Sequence, residues 1–210
     1  MGTSVGTKTG GKCIAVVAAL LMLAYGSTVV AGRAGADPED PPGRDLPAPR
    51  LPLVTPTASN WQPKYPFPFD QTRRFVTDAD INAEREMCQW FNADYAPLKL
   101  QIERFNNSMM LRNGQWNADG VQERADAVVA NIDQSVDFLA PRAQALTQSD
   151  DHAGDKFFPL YEGQSFYILW QNLFNVSNGI KGRQGTWFSG PSFQRVMHYG
   201  SKIERSHVCR

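Results

Sequence analysis

Reactive chemistry is scarce in this chain. Its 210 residues hold three cysteines and three histidines. They contain no His-Glu-x-x-His and no Ser-x-x-Lys, which excludes the recognisable zinc-protease and Ser/Lys acyl-transfer sites, and Gly-x-Ser-x-Gly occurs only as Gly2-Thr3-Ser4-Val5-Gly6, ahead of the apolar run. Gly179, Gly182 and Gly185 follow a helical stretch instead of joining a strand to a helix, so they form no phosphate cradle. Alternating Val/Ile/Thr runs are absent, which removes sheet-based classes. An excess of one charge is also missing: 21 basic residues face 21 acidic ones, too few for a general nucleic-acid binder.

The N-terminus is read as an export signal. Lys8 and Lys12 are the only charges before the apolar run Cys13 to Val30, and Ala34-Gly35-Ala36 supplies a small-x-small cleavage site ahead of Asp37-Pro38. The run has about the length of a membrane span, so an uncleaved N-terminal membrane anchor is the rival. Cys13 follows polar Thr9-Gly10-Gly11-Lys12 and is not a lipoprotein cysteine. Cleavage after Ala36 predicts a secreted or envelope protein with three parts: signal peptide 1–36, proline-rich linker 37–70 and helical domain 71–210. The mature chain keeps Cys88 and Cys209, and outside a reducing cytosol these are expected to pair. A Cys/His metal site would have to recruit His207, a ligand set too thin for zinc, so neither a metal nor a cofactor is expected.

Between Asp37 and Phe69 lie ten of the fourteen prolines, which predicts an extended linker. In its second half Trp61, Tyr65, Phe67 and Phe69 alternate with prolines. That half either lies along the domain with its rings in grooves or is a disordered spacer.

The remainder reads as helix. Thr77 and the acids Asp78 and Asp80 open a first helix whose stripe runs through Cys88, Phe91, Tyr95, Leu98, Ile102, Phe105 and Met109. Pro97 is expected to kink or break it, and Asn113-Gly114 to end it. A second helix is expected to open near Asp119 with Gln122 reaching back as in a capping box, and to bend at Pro141. After a polar loop, Gln148 to Asp155, a third runs from about Pro159 until Gly179 ends it. Pro191 starts a short last helix. The predicted fold is all-α: an antiparallel bundle of about four helices tied by one disulfide and preceded by the linker.

Charge is uneven along it. Thr77–Asp155 carries 14 acidic against 6 basic residues and Ile180–Arg210 carries 6 basic against Glu204 alone, so an acidic and a basic region are expected to meet. The basic C-terminal region is also a candidate for contact with anionic lipid. The acids Asp80, Glu84, Asp126, Asp133 and Asp137 are read as solvated helix faces rather than a catalytic set, and His152 and His198 as ordinary surface or core.

Aromatic residues are the functional lead. Phe166 to Trp170 are five consecutive large apolar residues, more than one helix face can bury. The excess has to be covered by the 61–69 segment, by a partner or by a ligand. Phe166, Tyr167, Trp170, Trp187 and Phe188 are therefore the candidate binding residues.

The Ala-x-Ala-Asp-Pro junction, the proline-rich lead, the cysteine in the first helix and Phe105-Asn106-Asn107 resemble small secreted helical proteins of mycobacteria. So does the aromatic helix from Leu160-Tyr161-Glu162-Gly163 to Asn178-Gly179-Ile180. One such family is required for export of mycobactin-type siderophores alongside envelope transporters. The resemblance spans roughly Cys88 to Lys181. The long linker, the longer helices and the closing Cys209 depart from the pattern. It implies a non-enzymatic envelope protein that assists a transporter, contacts another envelope protein or binds an apolar, siderophore-like molecule. The alternatives are a structural or adhesive cell-wall protein and a hydrolase with an unrecognised site.

Overall fold

The computed structural model describes residues 47–66, 70–150 and 156–210. The signal segment, the first part of the linker, Phe67, Phe69 and His152 lie outside the described residues.

The fold is all-helical, with the Cys88–Cys209 disulfide in place at a Cα–Cα distance of 4.9 Å. Thr77 caps α1 (Asp78–Trp90). Its hydroxyl accepts from the Asp80 amide at 3.2 Å while Asp80 Oδ2 accepts from the Thr77 amide at 2.7 Å, a reciprocal capping box. A π-helical turn, Phe91–Tyr95, joins α1 to α2 (Ala96–Leu111), and Pro97 sits in the first turn of α2. The expected break is absent: Tyr95 and Ala96 keep right-handed helical dihedrals, because the wider π turn falls where the proline ring would crowd the carbonyl of Ala93. Asn113 and Gly114 take φ of 52° and 74°, and the Gly114 amide closes the end of α2 on Met109 O at 2.8 Å.

Helix α3 spans Val121–Ala145 and passes through Pro141. Its start differs from the sequence reading. Gly120 is the N-cap residue with φ 78° and no side-chain cap forms, while Gln122 instead donates to Asp126 at 2.9 Å. A two-residue antiparallel ladder, β1 (Ser149–Asp150) with β2 (Lys156–Phe157), closes the loop expected there. It is too short to form a layer of its own.

Helix α4 (Gly163–Lys181) starts four residues later than expected and continues past Gly179. Gly179 is a packing glycine, not a terminator: a Cβ there would lie 2.5 Å from Cβ of Trp187 in α5 (Gly185–Phe188). Pro191 opens α6 (Pro191–Ser206), a full 16-residue helix and not a short one. Gly200 lets α6 approach the Tyr95 ring, which a Cβ would strike. Tyr95 in turn donates to Val196 O at 3.2 Å and stacks on Phe91 with ring centroids 4.5 Å apart.

Helix α4 packs against both α3 and α6, and α3 packs against α1 and α2. Phe105, Ile132, Leu139, Phe166, Leu169, Leu173 and Ile203 are fully enclosed in one core. Acidic and basic regions meet where Lys181 pairs with Asp133 at 2.8 Å, and Lys202 also approaches Glu162 at 3.4 Å. Among the described residues no helix is long and apolar enough to cross a membrane.

The proline-rich segment 47–66 runs extended over this core as a strap. Leu51 is buried, and the Trp61 indole donates to Val208 O at 2.7 Å, beside the disulfide. Lys64 donates to His207 O and its own carbonyl accepts from the Tyr161 amide at 3.1 Å. Of the two readings of the aromatic half, the one that lays it along the domain describes residues 61–66, its remainder lying outside the described residues.

Candidate functional site

A stripe on α4 at steps of three and four, Phe166, Leu169, Leu173, Val176 and Ile180, turns inward and is buried. Tyr167, Ile168, Trp170 and Phe174 fall beside this stripe and remain partly or largely accessible, Phe174 at 50%. Tyr167 and Trp170 hold each other edge to face at 5.4 Å, and Phe158 closes on Tyr167 at 5.5 Å.

Helices α3 and α6 flank this outward side of α4 and leave a cleft of about 880 Å³. Val136 and Ala140 from α3, Ile168, Trp170 and Phe174 from α4, and Tyr199 from α6 supply its apolar wall. Asp137 and Arg195 place opposite charges in the lining, and Gln144, Gln171, Asn172 and Asn175 add amides, so half of the lining residues are polar. The Trp170 indole N–H is buried without a hydrogen-bond partner among the described residues. No described residue of the strap lines this cleft, so the apolar excess of α4 is not covered by the 47–66 segment.

The five aromatics singled out in the sequence fall in different places. Trp170 lines the cleft, and Tyr167 buttresses it from within. Phe166 is fully buried and meets Phe91 edge to face at 6.2 Å. Phe188 is core as well, packed with Phe105 at 5.5 Å and Trp116 at 5.8 Å. Trp187 is 45% exposed on α5, where its backbone side faces Gly179. The structure thus brings Trp170 and Tyr167 together and leaves the other three out. Phe174, Tyr199 and Arg195 take their place in the cleft. Phe174 was discoverable as a ring off the buried stripe, whereas Tyr199 and Arg195 depend on how α6 docks.

A second cluster overturns a reading made from spacing. Asp80 and Glu84 are not on a solvated face: both are buried, at 1% and 0% exposure. Asp80 is satisfied by Thr77 and by the Thr147 hydroxyl at 2.9 Å. Neither carboxylate oxygen of Glu84 has a hydrogen-bond partner among the described residues. Burial, reinforced by the nearby Glu162 and Asp80 charges, pushes the Glu84 carboxyl well above the usual range. Glu162 occupies the N-cap position of α4 at φ 66° with no side-chain cap bond, and accepts from the Ser165 hydroxyl at 2.5 Å. Asp126 and Asp137 are exposed, as a solvated face requires. Among the described residues no group of three or more His, Cys, Asp or Glu side chains is placed to hold a metal ion.

No family model, no curated protein and no solved structure matches this chain.

Proposed function

We propose that this is an exported, non-enzymatic protein of the cell envelope that holds an apolar ligand in the α3–α4–α6 cleft. The observation that carries the reading is the cleft itself, walled by Trp170, Phe174, Tyr199 and Ile168. Its volume lies in the range of small-molecule sites, roughly 300–1,000 Å³. The charges and amides in its lining suit a ligand with an apolar body and several polar groups, as a siderophore-like molecule has. Delivery to, or collection from, an envelope transporter is the role such a carrier serves. The basic side chains of α6 and the C-terminal turn supply contact with anionic lipid at the membrane surface.

The helices in this reading form an antiparallel bundle with bends at Pro97 and Pro141, the second bend tilting the end of α3 beside the cleft. Export follows from the Lys8/Lys12, apolar-run and Ala34-Gly35-Ala36 order, with the mature chain beginning at Asp37. Native mass spectrometry of protein recovered from envelopes is the test. The expected spectrum is a mature chain carrying a non-covalent apolar adduct of lipid or siderophore size. Protein recovered from its own envelope as bare chain throughout, with no adduct at any collision energy, contradicts the carrier role.

A further inference from the structure

The strap is held in a way that differs from ordinary core packing. Asn131 on α3 is fully buried, and its amide grips two points of the strap main chain. Its Oδ1 accepts from the Leu51 amide at 3.1 Å and its Nδ2 donates to Pro49 O at 2.8 Å. Gln101 on α2, also buried, donates to the same Pro49 carbonyl at 2.9 Å and accepts from Asn131 at 2.7 Å. Six residues further on, Gln89 on α1 repeats the grip. Its Oε1 accepts from the Thr57 amide at 2.9 Å and its Nε2 donates to Thr57 O at 2.7 Å. Between the two clamps Gln134 donates to Pro52 O at 2.9 Å. The groove therefore reads backbone, through four side-chain amides on three helices.

Between Ala48 and Val54 side chains are read at every third position. Ala48, Leu51 and Val54 pack on the core, while Arg50, Pro52, Leu53 and Thr55 are exposed. A period of three is that of a polyproline II helix, which shows one face in each turn and leaves its backbone groups free for a receptor. The prolines fit this register. They stand at 47, 49, 52 and 56, and not at 51 or 57, the two positions whose N–H groups the clamps need.

We propose that this groove is a recognition site for extended, proline-containing peptides, with the chain's own strap as its resident ligand in cis. The ligand class is a polyproline II segment with small or branched apolar residues at every third position, Leu at the central one, and non-proline residues at both clamps. When the strap is out, the groove accepts such a segment from another polypeptide. Removing the peptide uncovers the Asn131 and Gln101 amides to water, and reoccupation exchanges that water for the main-chain groups the amides are arranged to meet.

The test uses the full mature chain carrying Leu51→Asp, which evicts the strap by placing a charge in the leucine pocket. A fluorescein-labelled peptide of residues 47–60 is titrated and followed by anisotropy. Saturable binding to this variant is expected. Binding to the unaltered chain is expected at least about tenfold weaker, because a tethered occupant acts at an effective concentration near the millimolar range. Adding Asn131→Ala, or using a peptide with Leu51→Pro, abolishes the signal. If Leu51→Asp loses its cooperative melt, Leu51→Ala is read in the same way. Absence of saturable binding to the folded variant, or equal binding of the Leu51→Pro peptide, overturns the proposal.

Discussion

Glu84 shows how little spacing says about a single side chain. Asp80 and Glu84 are four residues apart on α1, a pattern that usually marks a wet face. The docking of the α3–α4 connection over this face puts both in the core instead, and Asp80 alone finds donors there. Because the folded chain raises the Glu84 carboxyl above its ordinary value of 4.5, it keeps a proton that the unfolded chain gives up. The stability this contributes is present below pH of about 4.5 and declines as pH rises through the folded value. Glu84→Gln removes that dependence while keeping the shape. The variant is expected to melt higher than the parent at pH 8, by an amount equivalent to roughly 1–3 kcal/mol, with the gap closing towards pH 4. Thermal melts across this range check it, and a variant less stable than the parent at pH 8 would show that ionised Glu84 is supported in the fold.

At the scale of elements, the periodic stripes and several helix ends were legible, and the junctions set by packing were not. The Thr77 cap, the Asn113-Gly114 stop and Pro191 at the head of α6 follow from residues that act within one turn of their own position, so local rules find them. Gly179 misled because a glycine that ends a helix and one that admits a neighbour look alike in one dimension. Only the approach of Trp187 tells them apart. The ring set was half legible for the same reason: a stripe shows which face of α4 is buried, but Tyr199 and Arg195 reach the cleft only through the α4–α6 packing. The disulfide was readable from the cysteine count together with the expected export, and its role is one of long-range fastening. It joins α1 to the turn after α6 across a separation of 121 residues. A loop of that length restricts the unfolded chain by about 4–5 kcal/mol in the chain-entropy view. Cys88→Ser is therefore expected to lower the melting temperature by many degrees in non-reducing buffer. Melting at an unchanged temperature would mean that the strap and α6 hold the C-terminus without the bridge.

Across the whole molecule, the two proposed recognition surfaces lie on different faces of one core. The strap occupies the groove over α1, α2 and α3 and fastens the end of α6 through Trp61 and Lys64. The cleft between α3, α4 and α6 has no such occupant among the described residues, and it collects the apolar surface that α4 has in excess. Helix α3 contributes to both, with Asn131 and Gln134 towards the strap and Val136 and Ala140 towards the cleft. We propose that this cleft, not the exposed ring of Trp187, is the binding surface. A fluorescence titration of the mature chain with Nile red measures it, comparing Phe174→Asp with Trp187→Asp, both at exposed positions. Phe174→Asp is predicted to weaken dye binding by roughly tenfold or more, a loss of about 1.4 kcal/mol, with Trp187→Asp and the melting temperatures of both close to the parent. Equal dye affinity in the parent and the folded Phe174→Asp chain, or loss confined to Trp187→Asp, would contradict the account.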